Sequence, residues 1–193
     1  LLGPDLWSIR HSDLWNCNSR IEILQGVAND ILSAIERLHS AGIIHCDIKS
    51  DNICMSFDDD DHTQIQNDFH KKSKNWKLVD FGHSRSMSDP FFSQLEFGAG
   101  HIGHRAPEVL LDMPVNEKID LWGLGVTMLE LITGGVLWKD GEHVAPLLAR
   151  ICGLVGSNFP IQFLRKSPLY SKNLEDNARK YWKTGFSHNV LDP

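Results

Sequence analysis

Long apolar runs are absent from these 193 residues. No stretch approaches the ~20 apolar residues that span a bilayer, so no membrane insertion is expected. Cysteine is sparse: Cys17, Cys46, Cys54 and Cys152 stand apart, with no CxxC pair. That scatter argues against a structural zinc site and for a reducing compartment, so an intracellular place in cytoplasm or nucleus is expected. Basic residues are in deficit, with 19 Lys plus Arg against 25 Asp plus Glu and a net charge of −6. Nucleic-acid binding wants a basic face, so no nucleic-acid partner is expected. A secretory leader is not apparent, because Leu1-Leu2 runs at once into Gly3-Pro4-Asp5. No initiator Met is present, which suggests a fragment. No internal repeat is apparent.

What is there is ordinary globular composition, 41% hydrophobic and 23% charged, enough to build one core without staples. A helix is expected from Ser19 to His39. Leu24, Val27, Ile31, Ala34, Ile35 and Leu38 recur at the 3–4 spacing of one buried face, with Ser19 as cap and Gly42 beyond the end. Ile43 to Ile48 and Asn52 to Phe57 read as short buried strands, and Trp76 to Phe81 as another. Residues 58–75, opening with four aspartates, read as a polar insert loop. Gly82 to Gly103 shows no period and reads as a long loop. Lys118 to Thr133 is apolar on nearly every side, the mark of a central buried helix. Glu142 to Val155 carries one apolar face of Val144, Leu147, Leu148, Ile151 and Leu154. The fold class expected is mostly α with a small β-hairpin region.

Four strings then occur in order: His45-Cys46-Asp47-Ile48-Lys49-Ser50-Asp51-Asn52, Asp80-Phe81-Gly82, Ala106-Pro107-Glu108 and Asp120-Leu121-Trp122-Gly123. Each alone is weak. A lone Asp is usually a cap or a solvated loop residue, and a lone Asn is usually turn chemistry. Together the four resemble the larger, C-terminal lobe of a eukaryotic protein kinase.

The resemblance implies a protein-kinase-like α+β lobe covering residues 1–193, cut at the N-terminal side and at the C-terminal end. It implies ATP and Mg²⁺ as cofactors and a protein substrate. Asp47 would accept the proton of the attacking hydroxyl, and Lys49 would neutralise the transferring phosphate. Asp80 and Asn52 would hold magnesium through hard oxygen donors. The Leu2 backbone would face adenine, Asp5 would approach the ribose, and Cys54 would lie under the adenine ring. Ordinary burial is an equal reading of Cys54. His45 and Phe81 would stack as supports, and Asp120 would anchor the catalytic loop. A lysine at position 49 resembles the serine/threonine class.

Departures matter as well. The family's usual Arg before the catalytic Asp is Cys46 here, which cannot bind a phosphorylated activation loop, so independence from such phosphorylation is expected. His101 and His104 stand where Thr and Tyr are usual, which argues for weak catalysis. A zinc site on His101 and His104 has no third ligand in the nearby sequence. No glycine-rich phosphate loop and no Val-Ala-Ile-Lys-type lysine precede the strings. Arg105-Ala106-Pro107-Glu108 and the stretch from His143 to Phe163 resemble the branch of cyclin-dependent, dual-specificity and SR-protein kinases. An Asp-rich insert on an acidic chain would suit a basic or Arg/Ser-rich substrate. Two other readings stand beside the kinase: a non-catalytic pseudokinase lobe that binds partners, and a small-molecule phosphotransferase sharing the Asp-x-x-x-x-Asn logic.

Overall fold

The computed structural model describes residues 2–12, 15, 17–56, 75–89, 101–138, 144–155 and 165–169. The chain opens with strand β1 (Leu2–Asp5) and the short helix α1 (Leu6–Arg10). The Asp5 carboxylate caps α1 by accepting the Ser8 N–H at 2.6 Å. The cap engages one oxygen of Asp5, Oδ1.

Helix α2 (Cys17–Ser40) follows. It starts ahead of Ser19, so Ser19 lies inside the helix and does not cap it. Its far end matches expectation, and Gly42 adopts φ +72, a left-handed turn that favours glycine. Strand β2 (Ile43–Ile44) is much shorter than the strand expected over 43–48. Beyond Ile44 the chain turns out of extended structure at Cys46, which has φ +68. A 3₁₀ turn at Ser50–Asn52 leads into β3 (Ile53–Ser56), and β4 (Asn75–Leu78) returns beside it. Of the polar insert at 58–75, only Asn75 lies among the described residues, where it opens β4.

β1, β3 and β4 form one antiparallel sheet in the order β1-β3-β4, with Leu2 opposite Ser56 and Ile53 opposite Leu78. β5 (Arg85–Ser86) pairs with β2, so the stretch expected to be a featureless loop contains a strand. Part of that stretch, residues 90–100, lies outside the described residues. Helix α3 (Pro107–Leu110) has proline at its first turn, where a missing N–H costs nothing. Helix α4 (Lys118–Thr133) occupies the expected span and ends at Gly134, φ +78. Leu121 and Ile132 on α4 are about half exposed, so its apolar surface is wider than its buried face. Helix α5 (Val144–Val155) completes the described elements, burying Leu147, Leu148 and Ile151 while Leu154 reaches solvent.

Apolar burial, roughly 25 cal/mol for each Å² removed from water, is gathered in clusters that meet at α4. One joins α1, α2, β3 and β4 to Leu124 and Leu131. Another joins α3 and α5 to Val126, Leu137 and Trp138. A smaller one sets Ile44 against Ala106, Val115 and Ile119. α4 thus serves as the common wall, and the loop from His45 to Asn52 lies along it. At Gly123 an added Cβ would meet the Ile48 carbonyl oxygen at 3.0 Å, tighter than ordinary packing, so a larger residue here would push the loop away by a few tenths of an ångström. No helix among the described residues is long and apolar enough to cross a membrane.

Candidate active site

The loop holding Asp47 is fixed from below by α4. The Asp120 carboxylate, 1% exposed, accepts the His45 N–H at 2.9 Å and the Cys46 N–H at 2.8 Å. His39 Nε2 lies 2.9 Å from the same carboxylate. These bonds hold Cys46 in its positive-φ conformation, which costs a non-glycine residue about 1–3 kcal/mol. The anchoring role expected for Asp120 is therefore seen directly. The Cys46 thiol is pushed up to about 12, first by burial and then by the charge of Asp120. It stays protonated and unreactive at neutral pH.

His45 is buried, and its ring ties the two sides of the site. Its Nε2 lies 3.0 Å from Val79 O, and its Nδ1 accepts the Asp47 N–H at 3.3 Å. Burial pulls its pKa down, so the neutral ring with the proton on Nε2 satisfies both contacts. Phe81 meets this ring edge to face at 5.0 Å, the support expected of the pair.

Asp47 is 3% exposed, and both its oxygens are engaged. Oδ1 accepts the His101 N–H at 3.0 Å. Oδ2 receives Lys49 Nζ at 3.0 Å and Asn52 Nδ2 at 3.0 Å. Lys49 has extended backbone, φ −155, which turns its side chain to the face of Asp47 two residues before. Burial pushes the Asp47 carboxyl up, but Lys49, the His101 N–H and the Asn52 amide outweigh it. The net shift is downward, so Asp47 is an anion at neutral pH.

Asn52 is buried too, and its Nδ2 also donates to the Asp47 carbonyl at 2.8 Å. With both amide protons spent on Asp47, the orientation of the group is determined and Oδ1 is the acceptor end. Val79 N–H donates to Asn52 O at 2.9 Å, which brings Asp80, the next residue, beside the loop. Asp80 is exposed and left-handed, φ +61, with Oδ1 accepting the Gly82 N–H at 3.1 Å. An exposed carboxylate and an amide oxygen are the hard donors magnesium takes, with phosphate oxygens completing the shell, so the residues fit that ion. Among the described residues no three His, Cys, Asp or Glu side chains gather as a metal-holding group. Leu2, the remaining residue singled out by resemblance, is exposed on β1 opposite Ser56, on the same sheet as β3 and β4.

Sequence reasoning missed one partner of Asp47. His101 touches it through the backbone N–H, while the ring turns to His104, Nδ1 to Nδ1 at 3.4 Å. A backbone donor is blind to residue type, so no pattern in the sequence announces it.

A carboxylate held in this way can take a proton from a hydroxyl, and an ammonium beside it can neutralise an arriving anion. The chain is also similar to known proteins. The protein kinase domain model matches residues 12–175. The stress-activated protein kinase JNK of Drosophila melanogaster is 32% identical over 163 residues, which is 84% of this chain and 38% of that protein. JNK of Suberites domuncula is 30% identical over 163 residues, 83% of this chain and 40% of that protein. Human mitogen-activated protein kinase kinase kinase 13 is 36% identical over 128 residues, 66% of this chain and 11% of that protein. The chain spans less than half the length of these relatives. By this match, on a chain where Lys49 meets the buried Asp47 and Asn52 on one loop, the protein belongs to the protein kinase domain family.

Proposed function

We propose that this chain is the C-terminal lobe of a protein serine/threonine kinase, which transfers the γ-phosphate of ATP to a hydroxyl of a protein substrate. The observation that carries the reading is the buried Asp47 carboxylate with Lys49 Nζ and Asn52 Nδ2 each 3.0 Å from one of its oxygens. In this role Asp47 orients the substrate hydroxyl and takes its proton, and Lys49 faces the phosphate in flight. Asn52 and Asp80 would hold Mg²⁺, which bridges and neutralises the phosphates when bound. The Leu2 backbone would border the adenine.

Lys49 supports the serine/threonine class, as do the names of the relatives. The Arg105-Ala106-Pro107-Glu108 string favours the branch of cyclin-dependent, dual-specificity and SR-protein kinases. The MAP3K relatives stand as the alternative, and Arg/Ser-rich peptides are the substrates to try first. The pseudokinase reading rests on His101. Its N–H serves the Asp47 carboxylate and its ring contacts His104, so the carboxylate keeps a donor at this position, which favours an active enzyme.

The test uses the protein extended upstream to its natural start, assayed for ATP-dependent phosphorylation of Arg/Ser-rich and generic basic peptides. Asp47→Ala is expected to lower kcat by ~10²–10⁴-fold with ATP affinity kept. Nucleotide binding without transfer in the unmutated protein would replace this reading with the binding module. Transfer only to small amines or alcohols would replace it with the small-molecule phosphotransferase.

A further inference from the structure

The 3₁₀ turn Ile102–His104 follows directly on the N–H that holds Asp47 Oδ1. Residues of α4 and the segment after it fix this turn. Trp138 Nε1 donates to Gly103 O, and a Cβ on Gly103 would come within 2.9 Å of the Trp138 ring. The His101 and His104 rings meet edge to face, centroids 5.5 Å apart. On its other side His104 Nε2 stands 3.4 Å from Glu130 Oε2 and makes no hydrogen bond.

Both side chains of that pair are nine-tenths or more buried, His104 at 10% exposed and Glu130 at 6%. Glu130 Oε1 accepts the Leu137 N–H at 3.0 Å, which fixes the carboxylate. A buried carboxylate needs a donor or a cation, and a buried ring nitrogen needs a partner. The site is therefore arranged as a chain: Glu130, His104, His101, Asp47. The two histidines also line two cavities. A small one is lined by Cys46, Asp47 and Arg105, and one of about 280 Å³ by Lys49, Asp51, Trp7 and Trp138.

We propose that His104 is a positioning residue for phosphoryl transfer. Spanning from Glu130 to the His101 ring with its two nitrogens, it sets the pose of the turn whose preceding N–H aims Asp47 at the substrate hydroxyl. An imidazole can reach both neighbours at once; a Leu offers a polar atom to neither, whereas a Gln amide offers a donor toward Glu130 and an acceptor toward the His101 ring. The inference rests on the kinase reading above, so its test has one arm that needs no transfer.

That arm is hydrogen exchange of the His101 amide, read by NMR on the full-length protein. His104→Leu and Glu130→Gln are expected to speed it by about tenfold or more, with α2 core amides unchanged. His104→Gln is expected to restore it to within about threefold of the unmutated rate. In transfer assays His104→Leu lowers kcat by about tenfold with KM for ATP unchanged, and His104→Gln recovers most of the loss. Wild-type exchange at His101 in both His104→Leu and Glu130→Gln overturns the inference. So does a kcat loss that His104→Gln fails to relieve. Transfer missing from the unmutated protein overturns the kinase reading itself, whatever the exchange shows.

Discussion

Asp47 and Asp80 flank one site, yet their surroundings are opposite. Asp47 is buried, with three donors closing on its two oxygens. Asp80 is exposed, and its Oδ1 takes the N–H of Gly82 two residues on. The first is braced by its own loop and by one N–H from a distant segment, the second by its own turn alone. A group that must meet a hydroxyl in one geometry gains from bracing, because misplacement by an ångström is costly. A carboxylate that must accept an incoming hydrated cation gains from access to water.

The comparison breaks most visibly if the braced side loses its anchor. Asp120→Ala leaves the His45 and Cys46 N–H groups unpaired beneath the loop. It is expected to cost about 3 kcal/mol, seen as a lower urea midpoint with unchanged slope. A loss under ~1 kcal/mol would mean the loop is held without α4.

Acid probes the same asymmetry by removing charge. The folded Asp47 carboxyl lies below its ordinary 3.8, so its contribution to stability is present above the unfolded value and is lost as pH falls through the folded one. Urea unfolding from pH 6 downward should therefore show the wild type losing more stability below about pH 4 than Asp47→Asn does. Parallel curves would mean the bracing groups do not favour the anion.

The smallest effect belongs to the link between the two sides. Phe81 is 46% exposed and meets His45 by its ring edge. Phe81→Ala is expected to lower stability by about 1 kcal/mol, measured by urea unfolding. A larger loss would make the Asp80 turn as braced as the Asp47 loop.

Much of this was legible before any coordinates. The span of α4 follows from apolar density and Gly134, and α2 from the recurrence of Val27, Ile31 and Ile35. Asp47, Lys49 and Asn52 stand out through the resemblance their string carries, and an extended Lys49 does place two of them together. Failure came where distant residues decide local shape. Ile43 to Ile48 has the composition of a strand, but Asp120, more than seventy residues on, bonds the chain at His45 and Cys46 and turns it. The insert at 58–75 drew attention by its aspartates, and all of it but Asn75 falls outside the described residues. His104 stands out in the sequence as a departure from Tyr and as half of a two-histidine spacing; its neighbour Glu130 sits on another element, beyond the reach of any local pattern.

The pairing of Ser56 with Asn75 has a consequence for how such a chain can change. The two backbones are clasped there before the segment between them departs, and each doubling of a loop's length adds only about 0.6 kcal/mol. Lengthening, shortening or exchanging that segment thus spares Asn52 and Asp80 at the opposite end of the hairpin. Changes of length or sequence can accumulate between Ser56 and Asn75 without disturbing the chemistry at Asn52 and Asp80.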